Sequence, residues 1–212
     1  MKILGFMGSP RVKGLNAKLI DSALKGAQSK GVETKRYDLI KYNIKFCMGC
    51  FKCMFENHEL PIGRCPLKDD MAGILEEYRH ADGYILASPV YDGGVTALMK
   101  NFLERKCALH YRKREDYGRI PDTREKANFE KKASLIVTGN AADEYWEVMG
   151  TPCFEAMEAH FLVEEIDIVD RYYIGGVENI SKKRLSEKLR EMHTLGVRLI
   201  DEIKKARKEK RD

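Results

Sequence analysis

Residues 45–71 read KFCMGCFKCMFENHELPIGRCPLKDDM and hold four of the chain's six cysteines. Cys47, Cys50 and Cys53 stand with two residues between neighbours. Cys65, with Pro66 behind it, comes after eleven more. A cubane iron–sulfur cluster takes four thiolates around a compact core, and a spacing of two lets one tight loop turn several sulfurs inward. Gly49 suits such a loop because it tolerates positive φ. The gap before Cys65 adds little closure entropy. Three close thiols followed by a Cys-Pro fit a [4Fe–4S] cluster better than zinc, whose usual pattern is two separated C-x-x-C pairs. Zinc, and thiols that bind no metal, remain the competing readings.

Three further stretches are small and polar where a ligand would want them. GSPRVKGLN (8–16) offers the Ser9 hydroxyl, the Arg11 guanidinium and Asn16, which reads as the N-cap of a helix whose free N–H groups favour an anion. It matches neither G-x-G-x-x-G nor a P-loop. SPVYDGG (88–94) combines Pro89, the flat face of Tyr91 and open backbone at Gly93 and Gly94. A planar heterocycle fits there, and so does an ordinary strand–turn–helix connection. TGNAADEY (138–145) is a third small-residue loop. Cys107 and Cys153 lie in helical stretches among apolar neighbours and read as core. His58 reads as a surface residue. His80, His110, His160 and His193 lack carboxylate or serine partners at informative spacing, so no hydrolytic triad is expected.

The elements that must position these residues alternate. Strands are predicted over 2–8, 32–40, 83–88, 133–139 and 163–176. Helices are predicted after Asn16 as far as Gly31, over 69–81, 95–109 and 144–161 (disturbed at Gly150–Pro152), and from a Ser181 cap to about Lys208. Such alternation implies a parallel sheet covered on both faces. Five strands of this size suit the doubly wound order 2-1-3-4-5, the flavodoxin-like α/β fold, with ligands beyond the strands' carboxyl ends. The 212 residues are expected to form one domain. A cysteine-rich insertion (41–68) follows strand 2, and a second, polar insertion spans 110–132.

The net charge of +5 does not argue for nucleic acid. Residues 204–212 contain six basic and two acidic side chains, so this helical tail alone carries +4. No apolar run is long enough to cross a bilayer, and the first residues lack a signal-peptide core. A cytoplasmic protein with reduced thiols is the expectation.

The runs GSPR…GLNAKLI and SPVYDGGVTALMKNFLER, with C-x-G-C-x-x-C…C…KDDM between them, resemble the NADPH-dependent FMN reductase family, nearest to its iron–sulfur flavoproteins. The likeness spans roughly the first 140 residues. It implies FMN as prosthetic group. Ser9, Arg11, Asn16 and Ala17 with neighbouring amides would hold the phosphate. Pro89, Val90, Tyr91, Gly93 and Gly94 would line the ring, and Thr138 and Gly139 would close the other side. It also implies a [4Fe–4S] cluster on Cys47, Cys50, Cys53 and Cys65. Two departures stand out: Glu104-Arg105 replaces the family's usual Asp-Arg, and the gap before Cys65 is longer than usual. Cluster-free relatives also keep C-x-G-C-x-x-C.

The expected activity is electron passage between flavin and cluster, to or from a ferredoxin-like partner or NAD(P)H. No side chain is expected to act as a catalytic acid or base. The alternatives are a cluster-free NAD(P)H-dependent FMN or quinone reductase, and a non-enzymatic carrier or zinc-stapled binding module. A homodimer or homotetramer is expected, because one subunit would shield the cysteine loop poorly.

Overall fold

The computed structural model describes residues 1–116, 118–124 and 130–210. The apolar run after Met1 forms β1 (Lys2–Met7), buried from Ile3 onward. It leads to α1 (Leu15–Gln28), β2 (Glu33–Asp38) and α3 (Met71–Arg79), with the short helix α2 (Lys52–Phe55) inside the cysteine segment. Next come β3 (Gly83–Tyr91), β4 (Gly94–Val95) and α4 (Ala97–Arg105). A 3-10 turn over Lys106–Leu109 enters a small hairpin of β5 (His110–Tyr111) and β6 (Asp122–Thr123). The chain continues through β7 (Lys132–Thr138), α5 (Trp146–Met149), α6 (Thr151–Val163) and β8 (Asp167–Ile174) to α7 (Lys182–Glu209).

The main sheet has the order β2-β1-β3-β7-β8, with all four neighbouring pairs parallel. In order of appearance these five strands run 2-1-3-4-5, as expected. The addition is β4, which folds back antiparallel on the end of β3. The predicted loop over 88–94 is therefore a hairpin. Asp92 (φ +49°) and Gly93 (φ +73°) both adopt left-handed geometry, as a two-residue turn of the primed type requires.

One face of the sheet packs on α3, α4 and α6 around a ladder of rings. Phe6 stacks at 4.4 Å on Phe102 and at 5.2 Å on Tyr37, and Tyr78 stacks at 4.2 Å on Tyr84. The other face packs on α1 and α7 through aliphatic residues such as Ile3, Ile85, Ile136, Leu199 and Ile203. Phe6 and Phe102 tie β1 to α4, so truncating either to alanine costs about 3–5 kcal/mol. Ser181 caps α7 as predicted, accepting from the Arg184 amide at 3.2 Å. Asn16 does not cap α1; Gly14 occupies that position and Asn16 lies inside the first turn. Helix α4 ends four residues before the predicted Leu109, and the remainder tightens into the 3-10 turn. The polar segment 110–132 carries the β5–β6 hairpin; its residues 117 and 125–129 lie outside the described residues. No helix among the described residues is long and apolar enough to cross a membrane.

Candidate functional site

The carboxyl ends of β1, β3 and β7 open on one cavity of about 550 Å³. Ser9, Arg11, Gly14 and Asn16 line it from the first loop. Pro89, Val90, Tyr91, Asp92 and Gly93 line it from the hairpin. Thr138, Gly139 and Asn140 come from the third loop, and Met149, Val177 and Glu178 from beyond it. Nine of the eleven residues predicted at this site thus converge. Two do not line the cavity. Ala17 is 3 % exposed and packs into the aliphatic layer. Gly94 is taken up by its pairing with Tyr91 across the hairpin.

Backbone and short side chains hold this frame. The Gly8 amide donates to Ala87 O at 2.8 Å, the lateral link between the first and third strands. The Thr96 hydroxyl donates to Gly8 O at 2.6 Å, and the Thr96 amide donates to Ser88 Oγ at 3.2 Å. The same Thr96 oxygen caps α4 by accepting from the Met99 amide at 3.2 Å. A Cβ on Gly8 would stand 2.8 Å from Met99 Cβ, so only glycine lets α4 approach this closely. On the far wall Asp143 accepts from the Gly175 amide at 2.7 Å and from Arg184 at 2.8 Å, which pins the third loop to β8 and α7.

Two features of the cavity call for a ligand. The Asn16 amide nitrogen donates to Thr138 Oγ1 at 2.8 Å, and its Oδ1 is buried without a partner. Helix α1 begins at the same wall with no side chain capping it, so the amides of its first turn face the cavity end unclaimed. Arg11 supplies the positive charge of the lining. A phosphorylated ligand with hydroxyls fits this donor set: the anion meets the helix start and Arg11, and a hydroxyl satisfies Asn16. Asp92, Asn140, Met149, Val177 and Glu178 were not singled out in the sequence. The Gly175-Gly176 pair is the signal for the last two, since Gly176 turns left-handed (φ +59°) just before Val177.

The cysteine segment is assembled differently. Apart from α2 it has no regular structure and is clasped from outside. Asp69 accepts from the Lys45 amide (2.9 Å), Asp70 from the Asn43 amide (2.8 Å), and Asn101 donates to Ile44 O (2.7 Å). Arg124 donates to the carbonyls of Cys53, Glu56, Asn57, Leu60 and His110 at 2.6–3.0 Å. Gly63 lies against Cys53 so closely that a Cβ would fall 1.8 Å from Cys53 O. Gly49 has the predicted positive φ, +61°.

Cys47, Cys50, Cys53 and Cys65 line one pocket of about 40 Å³, and so does Cys107. Cys107 is thus corrected from core residue to fifth thiol of this pocket, because the 3-10 turn after α4 aims it there. Cys153 is fully buried, as expected. Cys47 and Cys50 are exposed; Cys53, Cys65 and Cys107 are half-buried. Burial first, and then the neighbouring Cys65, Cys107, Cys47 and Cys50, push the Cys53 thiol up to about 12. The same burial raises Cys107, and a cationic centre in the pocket would offset it for both thiols. The donor set is almost wholly sulfur, which suits an iron–sulfur cluster. Arg105, its side chain 3 % exposed, grips Asp69 through both guanidinium nitrogens (2.5 and 3.1 Å). It also donates to Lys45 O at 2.7 Å and to Cys65 Sγ at 3.6 Å. The departure to Glu104-Arg105 leaves this arginine in place.

Behind the pocket, three side chains read as unpartnered or unremarked come together. His110, His160 and Glu164 bring their ligating atoms within 4.8 Å of one another. Lys106 Nζ stands 2.9 Å from Glu164 Oε1, off the hydrogen-bond direction, and Tyr78 donates to Oε2 at 2.5 Å. Despite full burial, the Lys106 charge and the contacts from His110 and Tyr78 hold Glu164 down to about 2. Burial first, then Lys106, lowers His160 to about 3. Lys106 already balances the carboxylate, and this group of side chains fixes the turn bearing Cys107. His160 and Glu164 stand four apart, but tertiary folding brings them Tyr78, Lys106 and His110 from dozens of positions away.

Comparison with known proteins follows this geometry. Residues 1–144 match the model of the family described as NADPH-dependent FMN reductase. An iron-sulfur flavoprotein of Methanocaldococcus jannaschii is 40% identical over 109 residues, 51% of this chain and 53% of that protein. One of Archaeoglobus fulgidus is 37% identical over 112 residues, 53% and 48% respectively. The chain therefore spans about half the length of the curated relatives it matches. Among solved structures, an NAD(P)H:quinone oxidoreductase from Methanothermobacter marburgensis superposes with TM-score 0.70 at 16% identity, covering 94% of this chain and 98% of that one. An FMN-dependent NADH-azoreductase from Bacillus anthracis, solved with FMN, gives 0.65 at 14%, covering 93% and 98%. Likeness at that identity concerns the fold.

Proposed function

The chain belongs to the NADPH-dependent FMN reductase family, and we propose that it is an FMN-dependent oxidoreductase that relays electrons between flavin and a [4Fe–4S] cluster in one flavodoxin-like unit. The observation that carries the flavin half is the cavity where an unpartnered Asn16 Oδ1, the uncapped start of α1 and Arg11 meet. Ser9, Arg11, Asn16 and the first amides of α1 would hold the phosphate end. Pro89, Val90, Tyr91 and Gly93 would line the ring from the hairpin, with Thr138 and Gly139 opposite.

Cys47, Cys50, Cys53 and Cys65 would hold the cluster, with Arg105 orienting Cys65. When bound, FMN exchanges two electrons as hydride or one at a time, and a cluster exchanges one, so the pair converts between the two kinds of partner. The chain's own part is to bind, to orient and to keep the thiols gathered; no side chain need hold or move a proton for this. The proposed partners are NAD(P)H on the two-electron side and a ferredoxin-like protein on the one-electron side. Phe46, Met48 and Phe51 are exposed around Cys47 and Cys50, which supports a homodimer or homotetramer in which another copy covers them.

Protein purified without oxygen and assayed for flavin, iron and acid-labile sulfide tests this reading. One FMN with about four iron and four sulfide per chain supports it. FMN without sulfide leaves the cluster-free NAD(P)H-dependent FMN or quinone reductase in its place. No flavin at all sinks both.

A further inference from the structure

Five thiols face a pocket where a cubane offers four iron corners. Cys47, Cys50 and Cys53 come from one loop and its short helix. The remaining corner has two claimants, Cys65 and Cys107. We propose that Cys107 is a competent fourth ligand of the cluster, able to take the place of Cys65; this rests on the cluster reading above.

Placement is the first reason. Cys107 stands in the 3-10 turn Lys106–Leu109, on the pocket wall that also carries Glu104 and Arg105. That turn is held on both sides. Behind it, Lys106 and His110 meet the buried Glu164. In front, the Gly63 amide donates to Ala108 O at 2.7 Å, and α2, which carries Cys53, packs against the turn. Cys107 thus reaches the thiol pocket from a rigid support.

Cys65 has a looser hold. It lies in irregular chain, and its sulfur is fixed by the single 3.6 Å contact from Arg105, two residues before Cys107. Both sulfurs are therefore held from the end of α4 and the turn that follows it, and a cluster on the loop thiols would lie in the pocket that both line. The contrast with Cys153 separates a ligand from a small hydrophobe. Cys153 is fully buried in the core and does not line the thiol pocket. Cys107 is half-buried and opens on four other thiols. On binding iron the Cys107 sulfur releases its proton to solvent and forms the bond that Cys65 would otherwise make; no electron is transferred in the exchange.

The test is iron and sulfide content, with the EPR spectrum of the reduced protein, for wild type, C65S, C107S and the double variant C65S/C107S, all loaded without oxygen. Bound FMN serves as the check on folding, and C65A replaces C65S if that variant loses its flavin. The expectation is that each single variant keeps about four iron per chain, that C65S shows an altered EPR signal, and that the double variant falls to less than about half. C65S emptied as fully as the double variant overturns the proposal and leaves the cluster reading standing. A double variant that stays fully loaded overturns it too. Wild type carrying FMN but neither iron nor sulfide removes the cluster reading, and this inference with it.

Discussion

The cavity at the strand ends and the thiol pocket lie at opposite ends of α4 and are built on different principles. Parallel strands deliver the three loops of the cavity to one edge, and short links such as Gly8 to Ala87 and Thr96 to Gly8 lock them there. Any sequence that makes this sheet makes most of that site. The thiol pocket owes nothing to the sheet's register. It depends on a few long-range side chains, chiefly Arg105, Arg124 and Asp69, that clasp an irregular segment. Topology provides the first site, and individual residues provide the second. Under the proposed function, disturbing one clasp should empty the pocket of metal while the cavity keeps its ligand.

Arg124→Ala is the strongest way to break that contrast. Five carbonyls lose their donor, and even with water replacing some of the bonds the segment loses about 3 kcal/mol of local stability. Iron content is expected to fall at least about fivefold with FMN retained, and amide exchange over 45–65 to quicken. Equal loss of both cofactors would refute the separation. Asn16→Ala tests the opposite side. It removes the buried acceptor and the Thr138 contact, so FMN affinity, measured by fluorescence titration, should drop about tenfold to a hundredfold with iron unchanged.

A smaller effect concerns the network behind the pocket. His160 is held neutral down to about 3 by burial and by Lys106, with His110 and Glu164 also facing it. In the unfolded chain it takes up a proton below about 6.5, so the unfolded state gains protons first and stability falls as pH is lowered through that value. The slope approaches about 1.4 kcal/mol per pH unit between pH 6 and 5, above the range where Glu164 begins to protonate. Thermal melts of His160→Gln should lack this contribution. An unchanged slope would refute the buried-neutral assignment. The smallest expected effect is that of Cys153→Ala, about 1 kcal/mol of stability with full iron content. Loss of iron there would undo the distinction between core and pocket cysteines.

The same contrast explains what the sequence made legible. Strand and helix alternation is a local pattern, so the sheet order and the three loops could be read from it. Nine of the eleven residues that the family resemblance implied for the site line the cavity, since they sit on those loops. Asn16 was misjudged because its role depends on Thr138, 122 positions away. Local chemistry favours it as a cap, and Gly14 holds that place instead. In the thiol region the spacing announced four cysteines but not the fifth. Cys107 has apolar neighbours in sequence, and only the tightening of α4 into a 3-10 turn aims it at the others. The links from Tyr78 to Glu164 and from Arg124 to Cys53 join residues dozens of positions apart, so no short window shows them.

Arg124 also sets an order of events during synthesis. It grips Cys53 O from 71 positions downstream. While the ribosome adds those residues, the loop thiols are already made but lack the Arg124 bonds to Cys53, Glu56, Asn57 and Leu60. If the proposed cluster binds, its insertion belongs after translation has passed the clasp, and the loop thiols must stay reduced until then.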